Sequence, residues 1–153
     1  MKILLVSDSH GDDLILKELK NEYPDMDHYL HAGDSQSSEY AIFPFDSISG
    51  NCDCYPFDER RKIYTPIGYL LMKHYPHLFS NEKEGIKIFV HGHTHKWKIS
   101  KEGEMYIICP GSISRPRDGT LGTYAILDLN EKESSVMIIE VETKNILKRM
   151  KLM

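Results

Sequence analysis

Lys2-Ile3-Leu4-Leu5-Val6-Ser7-Asp8-Ser9-His10 is the stretch that decides how this chain folds. A short apolar, β-leaning run that stops at a polar turn reads as a buried strand. Beyond the turn, Leu14, Ile15, Leu16 and Leu19 form a helical stripe over Asp12 to Glu22, with Asp12 or Asp13 as the cap and Pro24 as the stop. The unit is strand, loop, helix. Its loop carries a carboxylate and an imidazole just past the strand's carboxyl end.

The same grammar repeats along the chain. His28 to Ala32 predicts a second strand, and Gly33-Asp34 follows it. Ser37 to Phe43 predicts a short helix. Phe45 to Ile48 predicts a weaker third strand, followed by Gly50-Asn51. Sites in open α/β sheets form outside the carboxyl ends of the strands, so these polar groups are expected together in space.

After residue 60, Arg61 to Tyr64 and Tyr69 to Met72 read as a hairpin around Pro66-Ile67-Gly68, and His74 ends its second strand. Ile86 to Val90 is a buried strand that delivers His91-Gly92-His93-Thr94-His95. Met105 to Cys109 is a strand ending at Pro110-Gly111-Ser112. Thr123 to Leu129 and Ser135 to Val141 alternate as an antiparallel pair. Lys144 to Met153 is a basic tail, expected to fray. About ten strands and few helices predict an α/β fold of two packed sheets flanked by helices, in a single domain over residues 1–153.

Composition narrows the function classes. The chain has 153 residues, 41% hydrophobic and 27% charged, with a net charge of -4. The acidic balance offers no footprint for wrapping duplex nucleic acid. Three cysteines, Cys52, Cys54 and Cys109, do not make a disulfide framework and fit a reducing compartment. The N-terminal run is too short for a signal peptide and no run reaches the length of a membrane span, so a cytoplasmic protein is expected.

The ligand types carry the chemistry. In an extended segment, Asp8-x-His10 and His93-x-His95 would each project two side chains to one side. Asp34 has two oxygens and can bridge two ions, Asn51 offers a neutral carbonyl, and His74 adds an imidazole. Two carboxylates, one amide and four imidazoles suit Mn, Fe, Co, Ni or Zn better than Ca. Two such ions side by side can activate water against a phosphate ester.

In their order along the chain, Asp8-x-His10, Gly33-Asp34, Gly50-Asn51, His74 and Gly92-His93-x-His95 resemble the calcineurin-like metallophosphoesterases. Gly50-Asn51-Cys52-Asp53, Pro110-Gly111-Ser112 and Arg115-Pro116-Arg117 look like its compact bacterial and archaeal phosphodiesterase branch. The resemblance spans roughly residues 2 to 129. It implies a four-layer α/β/β/α sandwich with a dinuclear site, Mn²⁺ foremost, hydrolysing small phosphoesters through a metal-bridging hydroxide. By that analogy Asp8, His10 and His95 hold one metal, Asp34 bridges, and Asn51, His74 and His93 complete the second. Asp34, Asn51 and His93 are then the catalytic set. Asn51, Cys52, Arg115 and Arg117 face the substrate of a monomer or small homo-oligomer.

Two departures stand out. Cys52 occupies the position where larger relatives carry a histidine read as general acid, so activated leaving groups should be favoured. The segment His74-Tyr75-Pro76-His77 lacks the family's His-Gly-His, which leaves His77 as a substitute for His74. Arg115 and Arg117 read equally as a solvated turn. His28 and His31 read as structural, His91 as a strand end or an orienting group, and Cys52-Asp53-Cys54 as loop lining. The alternative function is a catalytically weak binding scaffold of the same fold, against which stands the complete set of ligand types. A nuclease fits the acidic charge poorly.

Overall fold

The computed structural model describes residues 1–117, 119 and 121–152. Among these, eleven strands and one α-helix form two sheets packed face to face. Strands β1 (Lys2–Val6), β2 (His28–His31) and β3 (Asp46–Ser47) run parallel, and β9 (Thr123–Asp128), β10 (Ser134–Glu140) and β11 (Ile146–Leu152) extend the same sheet antiparallel, in the order β11-β10-β9-β1-β2-β3. The second sheet has the order β4-β5-β6-β8-β7, from β4 (Arg60–Thr65), β5 (Gly68–Lys73), β6 (Ile86–Val90), β7 (Lys98–Glu102) and β8 (Met105–Cys109). Its central strands β5, β6 and β8 are parallel. In each sheet, loops leaving the carboxyl ends of parallel strands therefore gather at one end.

Alternation along β1 explains the layering. Ile3 and Leu5 join Leu70, Met72, Ile88, Val90 and Leu127 between the sheets. Leu4 and Val6 face outward, where Leu16 and Leu19 of helix α1 (Asp13–Glu22) cover them together with Tyr124 and Ile126. Burying side chains of this size on both faces contributes about 1.5–3 kcal/mol each. Asp12 caps α1, its side chain accepting from the Ile15 N–H at 3.2 Å.

Several expectations change. Residues 37–43 form turns rather than a helix, because their polar groups bond locally, as in Ala41 N–H to Ser38 Oγ at 3.3 Å. The third strand shrinks to two residues. Strand β7 was not anticipated: Lys98-Ile99-Ser100-Lys101-Glu102 is nearly all polar, and it pairs as an edge against β8. The basic tail does not fray. As β11 it pairs with β10 from Ser134↔Leu152 to Ile139↔Ile146, buries Leu152, and keeps its lysines on an exposed edge, where charge deters further pairing. Met153 lies outside the described residues. The fourth layer is thin: the outer face of the second sheet, with Leu71, Phe89 and Met105, is covered by Leu78 and a segment holding a single 3₁₀ turn, Ser80–Glu82.

Candidate metal centre

The ligand-type residues sit on backbone that ordinary residues seldom adopt. Asp8, His10, Asp34, Gln36, His93 and His95 all have positive φ, between 46° and 70°. Left-handed backbone costs non-glycine residues on the order of 1–2 kcal/mol each. Asp8-x-His10 and His93-x-His95 therefore converge through tight left-handed turns, not through strand alternation as their period-two spacing implied. The turns are zipped to one another: Asp8 N–H donates to Gly33 O and His10 N–H to Asp34 O, both at 3.0 Å, and Gly92 N–H donates to His74 O at 3.0 Å. Gly92 is required here, since a Cβ would strike Ser7 Oγ and come within 2.8 Å of Asp8 Oδ2.

Asp8 is fully buried between the sheets. Its Oδ2 accepts from Ser7 Oγ at 2.6 Å and His93 N–H at 3.1 Å. Its Oδ1 has no hydrogen-bond partner, yet three imidazole nitrogens face it: His95 Nε2 at 3.3 Å, and His10 Nε2 and His74 Nε2 at 3.9 Å. Burial pushes the Asp8 carboxyl up, against the Ser7 hydroxyl and the nearby imidazoles that favour its ionised form.

The far nitrogen of each ring sets its tautomer. His10 Nδ1 donates to Gln36 Oε1 at 2.7 Å, His95 Nδ1 to the Arg115 carbonyl at 2.7 Å, and His74 Nδ1 to the Ala32 carbonyl at 2.8 Å. The Nε2 atoms of the three rings consequently point inward, that of His74 toward the Asp34 carboxylate. His10 Nε2 and His95 Nε2 meet at 3.2 Å, and Asn51 Oδ1 lies 3.0 Å from His74 Nε2 and 3.1 Å from His93 Nδ1. Nitrogen and oxygen ligand atoms crowded together, with a buried carboxylate oxygen left over, describe a cradle for cations. Asp8, His10 and His95 form one group able to hold an ion, and Asp8, Asp34 and His74 another.

Asp34 belongs to the second group. Its Oδ1 accepts from Cys52 N–H at 2.8 Å and its Oδ2 lies 3.2 Å from His74 Nε2. Burial alone would raise its pKa, but the His74 ring and the Cys52 N–H outweigh it and hold the carboxyl down at about 2. His74 is raised in return: burial opposes its charge, but hydrogen bonding to Asp34 wins.

The structure brings Asp8, His10, Asp34, Asn51, His74, His93 and His95 together. Of the alternatives, His77 is exposed and lines a separate small cavity beside Leu78 and Phe89. His28 starts β2, at the end opposite Asp34. His31 is structural: fully buried, it bonds Ser9 Oγ at 2.8 Å and Gly33 N–H at 3.1 Å, and burial drops its pKa to about 3. His91 is buried, with Nδ1 against its neighbour's carbonyl, Gly92 O, at 2.9 Å. Cys52, Arg115 and Arg117 line the same cavity, about 570 Å³, as His10, Asp34 and His93. Cys52 and Cys54 are exposed, Cys109 is buried, and none of the three is in a disulfide.

Two supports went unread in the sequence. Asp53 staples the loops, accepting from Asp34 N–H at 2.9 Å, Gly50 N–H at 2.7 Å and Gln36 N–H at 2.8 Å. Gln36 orients His10. The signal available was the spacing Gly50-Asn51-Cys52-Asp53, in which a carboxylate can reach back three residues to a backbone N–H; nothing local marks Gln36.

Known proteins resemble this chain in sequence and in fold. The probable metallophosphoesterase YsnB of Bacillus subtilis (strain 168) is 30% identical, with 89% of each chain covered. A Streptococcus pneumoniae TIGR4 protein described as a predicted phosphoesterase superposes with a TM-score of 0.83 at 26% identity, covering 98% of this chain and 97% of that one. Vps29 from Entamoeba histolytica, complexed with zinc, shares the fold alone: TM-score 0.73 and 15% identity, covering 99% of this chain and 98% of that one. Residues 1–132 match the calcineurin-like phosphoesterase superfamily domain, and with the two-sheet fold and the ligand cluster they show that the chain belongs to that superfamily.

Proposed function

We propose that this chain hydrolyses phosphate esters, diesters foremost, at a centre for two divalent cations, with Mn²⁺ ahead of Fe, Ni, Co and Zn. The observation that carries the reading is Asp8 Oδ1, buried without a hydrogen-bond partner among three imidazole nitrogens. Asp8, His10 and His95 would hold one cation, Asn51, His74 and His93 the other, and Asp34 both. Cations there would supply Lewis acidity toward a phosphoryl oxygen and toward water.

The chain's own groups do the rest. Gln36, the Arg115 carbonyl and the Ala32 carbonyl orient the His10, His95 and His74 rings so that each turns its Nε2 to the site. Arg115 and Arg117 line the cavity and would neutralise a phosphate, and the Asn51 amide would help orient it. Burial and the Asp34 carboxylate push the Cys52 thiol up, so it gives a leaving group its proton less readily than an imidazolium would. Esters with acidic leaving groups are therefore the better substrates. We place the chain in the cytoplasm, as a monomer or small homo-oligomer acting on small phosphoesters rather than on nucleic acid or membranes. No helix among the described residues is long and apolar enough to cross a membrane.

The test is hydrolysis of bis(p-nitrophenyl) phosphate by purified protein with Mn²⁺. Asp34→Ala and His93→Ala should each abolish it. Turnover that survives both substitutions overturns the assignment. Less than one equivalent of metal, even after reconstitution, would favour a binding scaffold.

A further inference from the structure

The cavity of the ligand cluster does not end at Cys52. Gln36 and Cys52 also line a second cavity of about 440 Å³, whose far end is formed by Tyr55 and Pro56. Those two residues line a third, of about 670 Å³, walled by the rings of Tyr40, Phe43 and Phe57. The three cavities therefore adjoin, a trough in three compartments. Its chemistry changes along its length: acidic ligands and arginines at one end, the Gln36, Ser37 and Ser38 side chains in the middle, aromatic rings at the other.

The aromatic end is built for a neutral ring and not for a second anion. Glu39, Asp46 and Asp58 stand on its wall. Arg61, its one cation among the described residues, is already engaged by Asp46 at 2.8 Å and Asp58 at 3.6 Å. Tyr55 is backed by Phe57, with ring centroids 4.7 Å apart. Phe57 is in turn packed on the core beneath α1. Tyr40 and Phe43 are 79% and 83% exposed, so large apolar area stands open beside that braced ring.

We propose that this trough is a subsite for the aromatic arm of a phosphodiester, of nucleoside size. The phosphate sits in the ligand cavity, a hydroxylated connector lies along Gln36 to Ser38, and the ring stacks on Tyr55. The assignment rests on the phosphoesterase reading above and adds to it the class of substrate arm. Stacking of a base on an aromatic side chain changes affinity by roughly 5- to 150-fold.

Two p-nitrophenyl esters test it, one of thymidine 5′-phosphate and one of methyl phosphate. Hydrolysis of either breaks the P–O bond to nitrophenol, passes the phosphoryl group to water, and releases p-nitrophenolate and a proton. With the Mn²⁺-loaded wild-type chain, kcat/KM for the thymidine ester should exceed that for the methyl ester. Tyr55→Ala should cut the former about fivefold or more and leave the latter within about twofold. Tyr40→Ala, on an exposed side chain, should shift the same ratio in the same direction. Calorimetry gives a readout without turnover: thymidine 5′-monophosphate should bind more tightly than methyl phosphate, and Tyr55→Ala should remove the difference. Equal loss on both esters, or loss on neither, overturns the subsite. So does a dimer abolished by Tyr40→Ala with ester selectivity intact, which would give the cleft to a second copy of the chain. No turnover of either ester would instead count against the phosphoesterase reading, and the calorimetric comparison would still decide the subsite.

Discussion

The two sheets bring different chemistry to one seam. The six-stranded sheet ends in Asp8, Asp34 and Asn51, with His10 as its one imidazole in the ligand cluster. The five-stranded sheet supplies only imidazoles, His74, His93 and His95, and then Arg115 and Arg117 beyond β8. They are also supported unequally. The oxygen-bearing loops are stapled by Asp53 and backed by α1, while the imidazole-bearing sheet has a thin outer cover and leans across the seam, His74 donating to Ala32 O at 2.8 Å. Neither half makes the site alone. A cation held there ties sheet to sheet, so its binding should register in stability as well as in catalysis.

The largest effect should come from removing Asp34, the oxygen ligand proposed to serve both cations. Asp34→Ala should lower kcat/KM for bis(p-nitrophenyl) phosphate about a thousandfold or more, measured as initial rates with Mn²⁺. Gly50→Ala should approach that loss without touching a ligand, because its Cβ would fall on Asp34 Oδ1. On the other sheet, His74→Ala should cost at least about a hundredfold in metal affinity, followed by titration with a metal indicator, and His77→Ala should stay within about twofold. The reverse pattern would give the imidazole to His77.

Supports rank next. Gln36→Ala frees the His10 ring and should weaken metal binding roughly tenfold. Full loading with Mn²⁺ at about a hundred times its Kd should stabilise the fold by about 2.7 kcal/mol, a rise in Tm of about 5–10 °C by calorimetry. A chelator should remove that gain from the wild type, and His95→Ala should lose much of it.

The smallest effect tests the thin cover. Glu82 bonds Lys73 Nζ at 2.9 Å and Arg60 Nη1 at 3.0 Å, tying the 3₁₀ turn to β5 and β4. Burial raises its pKa, but Lys73, the Phe79 N–H and Arg60 more than offset that, and it ends below the ordinary carboxylate value. A lowered folded pKa means stability that is present above the unfolded value and lost as pH falls through the folded one. Glu82→Gln should therefore cost about 1 kcal/mol at pH 7. The gap should close as the medium is acidified below the ordinary carboxylate range, as read from thermal unfolding at each pH.

Much of this was legible because it is local. Strands buried on both faces read as continuous apolar runs, and Lys2 to Val6 or Ile86 to Val90 could hardly be misread. The ligand types were legible for the same reason: each follows directly on such a run. Strand β7 and the tail strand β11 were not, since polar edge strands owe their existence to a neighbour's open hydrogen bonds and not to their own pattern. The turns at residues 37–43 carry a helix-like pattern, but serine hydroxyls compete for backbone groups in ways that periodicity does not register.

By itself the sequence determined the ligand inventory and its order, the superfamily resemblance, and the strands that carry the site. The tertiary structure alone decided four things. It set His74 beside Asp8 and Asp34 and His77 in a separate cavity, twisted Asp8, His10, His93 and His95 into left-handed turns, gave the Nδ1 of His10, His74 and His95 its partner, and lined up the cavities from Cys52 to Tyr55. The reason is distance along the chain. A strand's burial is written in its own five residues, whereas His10 faces His95 across 85 positions, and only the packing of one sheet on the other brings them to 3.2 Å.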